Sequence, residues 1–149
     1  MLASFKRRHW HLTIGTGFGL LTLLALSVLS IPVGAEDLPV FRQGMWDFQR
    51  TVGTQNMHTQ KCTSPNDDMK RQDAMLEKAG CHFAPLKKAG KTYTFTAECT
   101  VKNSSITSHT TTVITVESDS AYTVQVDGTT NGQPTKELLT ARRIGDCKH

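Results

Sequence analysis

The side chains in this sequence with the types to do chemistry are four cysteines, Cys62, Cys81, Cys99 and Cys147, and a scatter of Met57, His58, His82 and His109. Thiolates, thioethers and imidazoles bind copper or zinc, and paired thiols form disulfides. Spacing separates these uses. No C-x2-C pair is present, so the cysteines lack the usual pattern of a zinc site. Met57, His58 and His109 stand as candidate copper or zinc ligands, although their spacing fixes no coordination geometry. Cys81 and Cys99 lie at equal distances from Gly90. The stretch between them reads as two short strands around Ala89-Gly90-Lys91. A three-residue hairpin loop there places the two cysteines opposite each other. That symmetry favours Cys81–Cys99 among the three possible pairings and leaves Cys62–Cys147 as the second bridge.

Catalytic spacing is missing. The sequence has no G-x-S-x-G, no H-E-x-x-H, no phosphate loop and no C-x-x-C. Glu98 and Glu117 fall on the solvated side of strand-like runs. Cysteines spent as staples are not nucleophiles. The expectation is a protein that is not an enzyme and carries no cofactor, with metal handling and an enzyme of unrecognised type as the alternatives.

The elements that position these residues follow a leader. Lys6, Arg7 and Arg8 precede an uncharged apolar run from Leu12 to Ile31, then Pro32 and the small-x-small triplet Val33-Gly34-Ala35. This is the pattern of an export signal over residues 1–35, with an uncleaved membrane anchor as the alternative. Periplasmic or secreted localisation follows from the first, inner-membrane anchoring from the second. An even cysteine count in an exported chain reads as two disulfides. The leader holds three of the charges behind the formal +4, which leaves about +1 for the rest. No nucleic-acid partner is expected from such a balance. The membrane enters only through the leader.

Residues 36–149 read as a single stapled β domain. Leu, Ile, Val and Phe make up under a fifth of it, which predicts a thin core in need of covalent help. Gly44 to Val52 alternates, with Trp46, Phe48 and Arg50 on one face. Met57 to Thr63 is a second strand after a turn at Gly53 to Asn56. Ser64 to Ala79 reads as a helix, with Ser64 as N-cap, Pro65 in the first turn, Asp67 completing a capping box and Gly80 as the stop. Its apolar face is Met69, Leu76 and Ala79, with Met75 at the edge. Pro85 donates no backbone hydrogen bond, so its strand belongs at an edge or a bulge. Tyr93, Phe95, Ala97, Cys99 and Val101 share one face of the next strand. Further strands cover Ile106 to Glu117, the segment around Tyr122 to Val126, and Thr135 to Ile144, with a loop from Gly128 to Pro134. The predicted fold is mainly β with one helix. It is an antiparallel meander forming a curved sheet or partly open barrel of about seven strands, with the helix between strands 2 and 3.

Gly44-Met45-Trp46, Cys62 before a polar helical stretch, Gly80-Cys81, Cys99, and the closing Arg142-Arg143-Ile144-Gly145-Asp146-Cys147 together resemble an exported bacterial family catalogued as domain of unknown function family 3617. The resemblance covers nearly all of the chain after the leader. It implies an envelope location and a disulfide-bearing fold, and no established activity. An early Gly-x-Trp with a last-strand arginine also resembles the lipocalin arrangement, in which Arg142 or Arg143 would stack on Trp46. Trp46, Arg142, Arg143, Phe95 and Tyr93 are therefore the candidate structural or ligand-lining residues. Lys87, Lys88 and Lys91 cluster at the hairpin tip. The functional expectation is a binding or structural module for an envelope partner or an apolar small molecule.

Overall fold

The computed structural model describes residues 37–148. The leader, residues 1–35, lies outside the described residues, and so do both readings of it. Among the described residues no helix is long and apolar enough to cross a membrane.

Alternating side chains pair into eight antiparallel strands: β1 (Gly44–Val52), β2 (Gln55–Thr63), β3 (Cys81–Phe83), β4 (Lys87–Ala89), β5 (Thr92–Thr100), β6 (Thr107–Ser118), β7 (Ala121–Thr130) and β8 (Gln133–Gly145). The helix α1 (Pro65–Ala79) connects β2 to β3. The sheet order is β2-β1-β8-β7-β6-β5-β3, with β4 also on β5. The chain meanders from β3 to β8 as expected. The first strand then pairs with the last, Phe48 opposite Ala141 and Arg50 opposite Leu139. Every row is paired to the next except β2 and β3, so the barrel is not closed. The connection between those two free edges is α1, which spans the seam.

Local chemistry explains the helix. Pro65 occupies its first turn, Asp67 and Asp68 face its positive end, and Gly80 ends it in the left-handed region at φ 110°. A Cβ on Gly80 would collide with the carbonyl oxygen of Thr100, so the close approach of helix end to β5 also requires glycine. The expected capping box does not form: Ser64 makes no side-chain cap hydrogen bond. Thr63 donates instead to the Asp68 carboxylate at 2.7 Å. Asn66 holds the incoming chain, accepting from the Phe41 N–H at 2.7 Å and donating to the Pro39 carbonyl at 2.6 Å.

Two turns differ from the sequence reading. The tip of the cysteine hairpin is a two-residue turn, Gly90-Lys91, with Ala89 opposite Thr92. Cys81 nonetheless lies opposite Cys99. A one-residue register shift at Ala84-Pro85-Leu86 reconciles the two, because Pro85 has no N–H for the ladder and splits the edge row into β3 and β4. Gly128 to Pro134 is not a loop. β7 and β8 run on to a tight turn at Asn131-Gly132, both with positive φ, where Thr130 pairs with Gln133. Gly128 sits in the sheet because a Cβ there would strike the backbone of His109 and Thr110 on β6.

The inner face carries the core. Phe41, Trp46, Tyr93, Ile114, Tyr122 and Ala141 are its buried members. Most of these gather at the end where β1 begins and β8 finishes. There the lead-in residue Phe41 stacks on Tyr122 at 4.3 Å between centroids and meets Trp46 edge-on at 6.1 Å. The aromatic plug closes that end. The other end, at the β1–β2 turn, has no such plug among the described residues.

Candidate ligand-binding cavity

The cavity lies between the concave face of the sheet and α1, with a volume of about 570 Å³. Strand alternation supplies its walls. Phe48, Phe95, Ile114, Val124 and Leu139 project inward from β1, β5, β6, β7 and β8, and Thr110 and Thr112 add hydroxyls from β6. Phe83 packs on Phe95 at 6.0 Å. The helix contributes Met69, Gln72, Asp73 and Leu76. These positions recur at i, i+3, i+4 and i+7, one stripe of an α-helix. Met75, expected at the edge of that stripe, points to solvent.

Five charged side chains line the cavity: Arg50, Lys61, Asp68, Asp73 and Glu137. Arg50 pairs with Glu137 at 2.7 Å. Lys61 pairs with Asp68 at 2.7 Å, and Arg71 also reaches Asp68. Burial works to raise the Asp68 pKa, but hydrogen bonds from Lys61, Thr63 and Arg71 outweigh it and hold the carboxyl below its usual value. Asp73 has no hydrogen-bond or ion-pair partner among the described residues. Burial, with the nearby Glu77 charge adding to it, raises its pKa. Tyr122 at the plug is also raised, by burial first and the Asp68 charge second.

The sequence-derived candidates fall in different places. Phe95 lines the cavity. Tyr93 is buried on the same face, nearer the plug, with the Lys88 ammonium 5.3 Å from its ring. Trp46 is fully buried, but among the described residues no arginine stacks on it. Its faces and edge are taken by Phe41, Phe48 and Tyr122, and its indole N–H donates to the Arg42 carbonyl at 3.0 Å. Arg143 lies opposite Trp46 in register yet turns away. Its Nε donates to the Gln43 carbonyl at 2.9 Å, and its guanidinium pairs with Asp146. A Cβ on Gly44 would collide with that guanidinium, which explains the glycine of Gly44-Met45-Trp46. Arg142 faces out to Glu117.

The proposed metal ligands do not converge. Adjacent strand residues point to opposite faces, so Met57 and His58 diverge. His58 meets Asp47 on the outer face at 2.5 Å, and this contact, with Gln60 next, lowers the Asp47 pKa. His109 is on β6, four rows away from β2, beside Glu98. No group of three His, Cys, Asp or Glu side chains positioned to hold a metal occurs among the described residues. The cysteines form two bridges, Cys62–Cys147 and Cys81–Cys99. Cys62 is the penultimate residue of β2, just before α1, and Cys81 opens β3 just after it. The helix is thus bracketed by covalent ties to both free edges.

Sequence reasoning missed Asp73. The available signal was a carboxylate in the middle of the only apolar stripe of the helix, between Met69 and Leu76. Compared with known proteins, residues 41–147 match the family model described as "Protein of unknown function (DUF3617)". No curated protein and no solved structure matches the chain.

Proposed function

The chain belongs to the DUF3617 family, which carries no assigned activity, and from the cavity we propose that it is a non-enzymatic, extracytoplasmic module that binds an apolar small molecule between α1 and the concave sheet. The observation that carries this reading is the cavity itself. Its volume of about 570 Å³ falls within the usual 300–1,000 Å³ of small-molecule sites, and its walls combine aromatic and aliphatic side chains with hydroxyl, amide and charged groups. The bonded state of all four cysteines supports placing the domain in an oxidising compartment such as the periplasm. Metal handling has no support from the arrangement, because its candidate ligands sit on separate faces and rows.

Native mass spectrometry of the oxidised protein purified from the extracytoplasmic fraction tests the proposal. A small apolar species should accompany the protein and be stripped by organic extraction. A protein that is ligand-free as isolated, and that takes up no added long-chain alcohol, would overturn it.

A further inference from the structure

We infer that the ligand of this cavity is a hydrophobic cation, an apolar body bearing one positive charge, held by Asp73 of α1. The inference rests on the cavity being a binding site and adds the chemistry of the occupant. Its first support is a charge inventory. Of the charged side chains lining the space, Arg50 is matched by Glu137, and Lys61 by Asp68. Asp73 alone has no counter-charge among the described residues. A ligand cation would complete the set, whereas a ligand carboxylate would meet a second uncompensated negative charge.

The second support is the placement of Asp73. The stripe Met69, Gln72, Asp73, Leu76 is the face that α1 turns to the cavity. An apolar residue at position 73 would continue the stripe and remove a desolvation cost. Exposed positions for an acid were available one and two residues away, at Ala74 and Met75. A local rule broken inside a cavity, with no compensating contact in the fold, is the pattern of a site kept for a ligand. The raised pKa of Asp73 describes the same imbalance from the other side: the charged form lacks a partner.

The third support is the wall material. Phe48, Phe83, Phe95 and Tyr122 line the cavity, and the Phe48 ring already has the Lys61 ammonium 5.6 Å from its centroid. Aromatic faces attract a desolvated cation, and such rings recur where quaternary or alkylated ammonium groups are bound. Apolar and aromatic walls for the body and one free carboxylate in the same lining together select an amphiphilic amine over a fatty acid.

The experiment compares three ligands of one chain length, dodecyltrimethylammonium, dodecanol and dodecanoate, each below its micelle concentration. Isothermal titration into the oxidised full-length protein reads the affinities. The cation should bind about tenfold more tightly than the alcohol, the scale of one charge contact in a partly screened site. The carboxylate should bind weakest. The ratio of cation to alcohol should collapse toward one in Asp73→Asn and persist in Asp73→Glu. It should also persist in Asp67→Asn, an exposed change of the same net charge. Binding of all three without a cation preference, or a preference that survives Asp73→Asn, overturns this inference and leaves the apolar site standing. Binding of none overturns both.

Discussion

The two ends of the cup are built from the same strands and solve opposite problems. At the plugged end, Phe41, Trp46, Tyr122 and Ala141 leave no polar side chain unsatisfied, and Arg143 reaches across the strand ends to Gln43 and Asp146. Along the seam, α1 covers the sheet with Met69 and Leu76 and inserts Asp73 into the same surface. Packing density holds the first region. The second keeps a void and an unmatched charge. A fold with so few large apolar residues packs Phe41, Trp46 and Tyr122 together at one end and leaves its aliphatic side chains to line a space for a ligand.

Breaking the covalent clamp gives the largest expected effect. The Cys62–Cys147 bond closes 85 residues and fixes the end of β2 to the residues beyond β8. Replacing both cysteines with alanine should cost about 4–5 kcal/mol on chain-entropy grounds, against about 3 kcal/mol for Cys81–Cys99, which closes 18. Urea unfolding of the two double variants measures the difference. Equal losses would mean that the bonds act through native geometry and not through the unfolded chain.

Next is Trp46→Ala. A fully buried tryptophan in contact with three aromatic rings should cost about 3–4 kcal/mol when truncated. A loss below about 1 kcal/mol would show that the plug is not the better packed end.

The smallest effect has the opposite sign. Because Asp73 has a folded pKa above its unfolded value of 3.8, the folded state holds its proton more tightly. Stability therefore falls as pH rises from the unfolded pKa through the folded one. Asp73→Asn should stabilise the ligand-free protein at pH 7, by no more than about 0.5 kcal/mol, since the group is half exposed and screened. The gain should vanish at pH 3. Thermal melts at both pH values check it, and destabilisation at pH 7 would mean that the carboxylate has a structural partner.

Strand alternation was strong enough in the sequence to give fold class, the helix between the second and third strands, and the inner-face residues of β1 and β5. What escaped was governed by single backbone groups or by three-dimensional convergence. Asn131-Gly132 is a strong hairpin signal, but the neighbouring Gly128 and Pro134 made the segment look like a loop. Gly128 is there for a close approach of β6, and Pro134 is tolerated within β8, neither of which shows in a one-dimensional pattern. The Cys81–Cys99 pairing came out of a hairpin loop of the wrong length, because the Pro85 irregularity offsets the difference. The match of Trp46 to a last-strand arginine found the right neighbours and the wrong contact. Arg143 prefers a carbonyl and a carboxylate to an aromatic face. The free charge at Asp73 required knowing which other charges already had partners.

The bracketing of α1 by Cys62 and Cys81 has a consequence for how the thiols find one another. In an unstructured reduced chain, Cys81 is about equally close in sequence to Cys62 and to Cys99, while Cys147 is the most distant from all three. Loop-closure statistics alone would join the wrong thiols across the helix about as often as the right ones. Either the β3–β5 pairing brings Cys81 to Cys99 ahead of oxidation, or a Cys62–Cys81 bond formed first is exchanged once the last strand arrives carrying Cys147.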